Sequence, residues 1–251
     1  MSSDVAIRFR NVTKRYHVRS PVADGLKSLL LHLPSQLQAI RRRKPHCALD
    51  DVSFELRRGE CLSVIGRNGA GKSTTLGLIA GVLRPSSGDV ETHGRICPLL
   101  ELGAGFHFEL SGRENIILNG ILLGLTRREV LDRVDDVIAF AELSDRIHQP
   151  LKTFSSGMIA RLGFSVAVHL TPDILLVDEV LSVGDEAFKR KCMTRMQSFR
   201  EQGTTMVFVS HDMTTIEKIS DRVALIEGGK LVDLGEPARV IANYRDRLQA
   251  A

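Results

Sequence analysis

The 251-residue chain is 43% apolar and 25% charged, close to the average for a globular protein, which excludes a disordered polymer and allows a buried core. Its formal charge of +4, from 34 Lys and Arg against 30 Asp and Glu, is too small and dispersed for a nucleic-acid binder. Four cysteines at 47, 61, 97 and 192 lack metal-ligand spacing, and the N-terminus lacks a signal-peptide pattern.

In chain order, residues 5 to 18 alternate apolar and polar, predicting one or two strands on a half-solvated sheet, and residues 51 to 56 and 61 to 65 read the same way. Between them, Leu26, Leu29, Leu30, Leu33, Leu37 and Ile40 mark one face of an inserted amphipathic helix over about 22–44, bent near Pro34. Its leucines suit either core packing or docking on a membrane partner. The basic run Arg41 to Lys44 suits either solvent or an anionic membrane surface. A helix is expected at 73–80, a turn at Pro85 to Gly88 and a strand near 89–92.

Residues 113 to 148 carry helical spacing at Val130, Val134, Val137 and Ile138, predicting an all-helical lobe over about 103–168. The longest nearly apolar stretch, Ile116 to Leu125, is broken by Asn119 and Gly120 and falls short of the ~20 residues of a membrane span. A membrane role is therefore expected to come through a partner. A helix from Gly157 to His169, a buried strand at Asp173 to Val177, a helix at 186–202, a strand at 205–209, a hairpin at Gly228-Gly229 and a helix at about 236–248 complete the reading. Alternating strands and helices define an α/β fold with a mostly parallel sheet, an antiparallel β subdomain and an all-helical lobe, in one domain over 1–251.

The strongest chemical signal is Gly66-Arg67-Asn68-Gly69-Ala70-Gly71-Lys72-Ser73-Thr74, a G-x-x-x-x-G-K-[ST] run between a strand and a helix. Backbone N–H groups there can curl around phosphate oxygens, and the helix N-terminus adds its positive end. Lys72 is assigned to the β- and γ-phosphates of ATP and the Ser73 hydroxyl to Mg²⁺. The apolar run Ile174 to Val177 ends in Asp178 and Glu179, at the sheet edge where ligands of open α/β folds bind. Asp178 is assigned to the metal, and Glu179 to the base that polarises the attacking water. His211, after the strand at 205–209, is placed to contact the γ-phosphate. Ser155, Ser156 and Gly157 open a helix with hydroxyls and N–H groups, as simple N-caps or as an anion grip.

Taken together, the P-loop, Phe154-Ser155-Ser156-Gly157-Met158, Leu175-Leu176-Val177-Asp178-Glu179 and Val209-Ser210-His211 resemble the nucleotide-binding domain of ABC transporters over nearly the whole chain. Ser156 and Met158 depart from the usual LSGGQ. Leu99 to His107, followed by Glu109 to Asn115, and Val180 to Phe188 are similar to the ATPase subunits of O-antigen, capsule and teichoic-acid exporters, although Phe108 stands where proline is commoner. The resemblance implies a homodimer with two ATP molecules between the copies, each held by one P-loop and the other copy's Ser155 to Gly157. It also implies a separate membrane permease and a peripheral place at the cytoplasmic face of a bacterial inner membrane.

It further implies Tyr16 as the adenine-stacking residue, with an exposed strand tyrosine as the competing reading. No glutamine occurs from Ala39 to His148, so the family's usual glutamine is missing and Glu101 is assigned as its substitute near Mg²⁺. Two other functions compete. A soluble ABC ATPase without a transport role would carry two motif sets or long insertions. An importer subunit would have a glutamine near residue 102 and no inserted helix.

Overall fold

The alternating N-terminal segment forms β1 (Val5–Tyr16), flanked antiparallel by β2 (His46–Arg57) and β4 (Ser87–Thr92) in a three-stranded sheet. A computed structural model describes residues 4–16, 46–99, 103, 105–169, 172–178, 185–210 and 212–249. The inserted helix expected over 22–44 therefore lies outside the described residues. Asn11 and Asp51 take left-handed backbone conformations (φ 48° and 56°), and the Asn11 amide donates to the Asp51 carboxylate at 2.9 Å. This β-bulge resets the alternation, so that Val12 returns to the core beside Ile7 and Phe9.

A second sheet has the order β5-β6-β7-β3-β8-β9, from β3 (Cys61–Ile65), β5 (Ile96–Leu99), β6 (Ile174–Asp178), β7 (Thr205–Val209), β8 (Arg222–Glu227) and β9 (Lys230–Gly235). Its strands run parallel except β9, which folds back on β8 through Gly228-Gly229. The central strands β3 and β7 are buried throughout, as expected for continuous apolar runs covered on both faces. On β6, Leu175 and Val177 enter one hydrophobic core while Ile174 and Leu176 enter the other, the two-residue period of a strand between two layers.

One face is covered by the β1 sheet and by α1 (Lys72–Ile79). Between β5 and β6 the chain forms α2 (Gly112–Leu122), α3 (Arg127–Leu131), α4 (Val134–Ala141) and α5 (Ser156–Val168). The remaining helices are α6 (Glu186–Glu201), α7 (Met213–Ile219) and α8 (Pro237–Gln249). Capping boxes at Ser111/Glu114 and Thr126/Glu129 start α2 and α3, each satisfying otherwise orphaned N–H groups.

Two details differ from the sequence reading. The Val130 to Ile138 run is divided at Asp132-Arg133 between α3 and α4, and the Arg133 side chain leaves the helix surface to reach the His169 carbonyl at 2.8 Å. Strand β5, at the sheet edge, carried no sequence signal because Pro98 lies within its four residues.

Candidate functional site

Strand β3 ends at Ile65 and α1 begins at Lys72, and the turn between them requires glycine at two points. A Cβ on Gly66 (φ +150°) would lie 2.1 Å from the Ile226 carbonyl oxygen, and one on Gly71 (φ +113°) 2.5 Å from that of Ala48. Both positions combine left-handed backbone with contact against neighbouring backbone, so any side chain would force the loop open. Gly71 occupies the N-cap of α1, whose first turn has no acidic residue, leaving its positive end uncompensated.

Tyr16, Asn68, Gly69, Gly71, Lys72, Ser73, Thr74 and Asp178 meet around one cavity of about 300 Å³, together with His46, Ala48 and Val209. Gly66 forms the floor of the turn through its carbonyl, and Ala70 is buried behind it, accepting the Gly229 N–H at 3.2 Å. Lys72 is buried, only 8% exposed, and its ammonium donates to the Gly66 and Arg67 carbonyls at 2.9 and 3.2 Å. Burial lowers its pKa, and the nearby Asp178 carboxylate partly opposes that shift. A buried ammonium held on two carbonyls at a helix N-terminus is a site prepared for an anion.

Ser73 is exposed at the start of α1, and Asp178, at the end of β6, lines the same cavity. A hydroxyl and a carboxylate facing one space are hard oxygen donors of the kind magnesium takes. Tyr16 is 36% exposed, and its hydroxyl lies 3.4 Å from the Thr74 Oγ1, which places its ring at the mouth of the cavity. His46 pairs with Tyr16 across the β1–β2 ladder and lines the same mouth. Sequence reasoning missed it, because its neighbour across the ladder is 30 positions away.

Ser155, Ser156 and Gly157 do not line this cavity. Ser155 N-caps α5 by accepting the Met158 N–H at 3.3 Å, and all three residues are exposed. A Cβ on Gly157 would meet only the Ser155 Oγ, at 3.9 Å, so the first turn of α5 is bare on its outer side. The N-capping reading of Ser155 is thus observed, and the helix N-terminus stays open to an external group. Glu101, Glu179 and His211 lie outside the described residues.

A phosphate-binding turn at the carboxyl edge of a parallel sheet, with an aromatic at its mouth and a carboxylate facing a lysine, defines a P-loop ATPase. The chain belongs to the ABC transporter family, whose model matches residues 49–182. It is 48% identical over 242 residues to an O-antigen export system ATP-binding protein of Klebsiella pneumoniae, covering 96% of this chain and 98% of that one. It is 40% identical over 247 residues to a teichoic acids export ATP-binding protein of Levilactobacillus brevis, covering 98% of this chain and 66% of that one. Among solved structures, an ATP-binding subunit of an ABC transporter superposes with a TM-score of 0.75 at 21% identity, covering 95% of this chain and 93% of that chain, a likeness of fold.

Proposed function

We propose that this chain is the ATP-hydrolysing subunit of an exporter that moves a lipid-linked polysaccharide across the cytoplasmic membrane. The observation that carries the proposal is the 48% identity, over nearly the whole of both chains, with an O-antigen export system ATP-binding protein, joined to the cavity at Gly66–Thr74. The domain is a single unit over 1–251 with its helical lobe at about 103–168, and the segment at 22–44 is an insertion between β1 and β2.

In this reading the triphosphate of ATP lies on the N–H groups of Gly69 to Thr74 with Lys72 on its β- and γ-phosphates, and the base stacks on Tyr16. Ser73 and Asp178 would hold Mg²⁺, which supplies charge neutralisation on the phosphates. Glu179 takes a proton from the attacking water, and His211 contacts the γ-phosphate from the adjacent strand end. Glu101, outside the described residues, would take the role of the missing glutamine toward Mg²⁺. Ser155, Ser156 and Gly157 bind the γ-phosphate in a second copy, because their open helix end does not reach the cavity of their own chain.

We further propose that the chain works as a homodimer with a separate permease. Among the described residues no helix is long and apolar enough to cross a membrane. The helical lobe, by contrast, exposes Phe108 (52%), Ile121 (42%) and Leu122 (64%), apolar side chains suited to a permease at the inner membrane face. Cells lacking the chain should accumulate radiolabelled lipid-linked glycan on the cytoplasmic side. Normal export in such cells would refute the assignment.

A further inference from the structure

The helix that presents Ser155 is tied to the sheet core in an unusual way. Phe140 from α4, Phe164 from α5 and Phe188 from α6 meet with ring centroids 5.8 to 6.2 Å apart, one ring from each helix. Charged contacts close this junction at two levels. Midway along α5, Arg161 donates to the Asp185 carboxylate at 2.5 Å and to Glu142 at 3.3 Å, and its guanidinium lies 4.9 Å over the Phe188 ring. Asp185 is the N-cap of α6, accepting the Phe188 N–H at 2.9 Å. At the end of α5, Arg195 of α6 donates to the Val168 carbonyl through Nε at 3.0 Å and Nη2 at 2.8 Å.

Two features mark the junction as built. Glu142, the C-cap of α4, is held in the left-handed conformation (φ 59°), a strain of order 1 kcal/mol for a residue with a side chain. Its carboxylate accepts from Arg161 and, at 3.1 Å, from Lys191 of α6, so partners on two other helices fix it. Two guanidinium groups, Arg133 and Arg195, also converge on the last carbonyls at the α5 end despite their like charge. The negative end of the α5 dipole offsets that repulsion.

A single tie would leave α5 free to pivot. Two ties separated by 7 residues, from Arg161 to Val168, span roughly 10 Å of helix and fix its angle. We propose that Arg161 and Arg195 are positioning residues that set the angle at which α5 presents Ser155 to the second copy, coupling this helix to α6. The proposal rests on the reading that Ser155 to Gly157 act on the ATP of the partner subunit. Neither arginine lines the nucleotide cavity, so their effect falls on turnover and not on capture of nucleotide by a single chain.

The test compares full-length wild type with Arg161→Met, Arg195→Met, Arg195→Lys and the double Met variant. It measures ATP turnover against ATP concentration, and affinity for a fluorescent ATP analogue at a single site. Each Met variant should lower kcat about tenfold with single-site affinity changed less than about twofold. Arg195→Lys, which keeps a cation at the α5 end, should recover most of the loss. The double variant should lose no more than the worse single one, because both ties fix one angle.

Unchanged kcat in both Met variants, losses that multiply in the double variant, or equal loss of affinity and kcat in Arg195→Lys would overturn the proposal. Wild-type chain that hydrolyses ATP without ever dimerising would overturn the partner-site reading and this inference with it. Dimerising wild type with unaffected variants would overturn this inference alone.

Discussion

At the residue scale the cavity depends on Lys72, whose ammonium rests on the Gly66 and Arg67 carbonyls. If Lys72 holds the phosphates as proposed, Lys72→Ala deletes a charge-assisted contact, and affinity for ATP should fall about 100-fold by fluorescence titration. The same group gives a pH prediction. Burial lowers its pKa in the nucleotide-free chain, so the charged form carries a cost that is present at neutral pH and relieved as pH rises toward the ordinary lysine value. Bound triphosphate favours the charged form and raises that pKa. NMR titration of the Lys72 side chain should therefore show a higher pKa with nucleotide than without, and an unchanged value would place the phosphates elsewhere.

The cysteines offer a second check at this scale. Burial pushes the thiols of Cys61, Cys97 and Cys192 up to about 12, whereas Cys47 on β2 is only half-buried. A thiol reagent should label one cysteine quickly in the folded chain and four after unfolding, and Cys47→Ser should abolish the fast phase.

At the element scale, the start of α5 joins stability to activity. Ser155→Ala removes the N-cap that accepts the Met158 N–H and should cost about 1 kcal/mol in denaturant unfolding. If the open helix end also grips phosphate, hydrolysis should fall much further than that loss of stability explains, and a parallel fall would leave capping as its whole role. Much at this scale was legible locally. The P-loop letters fall between β3 and α1, and the helices at 156–168, 186–201 and 237–249 agree with the sequence boundaries within about two residues. Strand β5 was not legible, because four edge residues containing a proline give no run, nor was the break at Asp132-Arg133 inside a periodic stretch. The ties from Arg161 to Asp185 and from Arg195 to Val168 join residues 24 and 27 positions apart, so only the folded chain brings them together.

At the scale of the whole molecule, the sheet separates two cores and delivers Ser73 and Asp178 to one carboxyl edge, while the α5 N-terminus opens on a different surface. Both motifs were legible in the sequence. That Ser155 to Gly157 stand apart from the cavity within one chain became visible only when its lining was in place, and under the proposed function this separation is a physical reason for two copies to act together. The most direct test of this account is the mass of Glu179→Gln in solution, measured by light scattering with and without saturating MgATP. The variant should be a monomer that becomes a dimer holding two nucleotides when ATP is added. A chain that stays monomeric with ATP bound would contradict it.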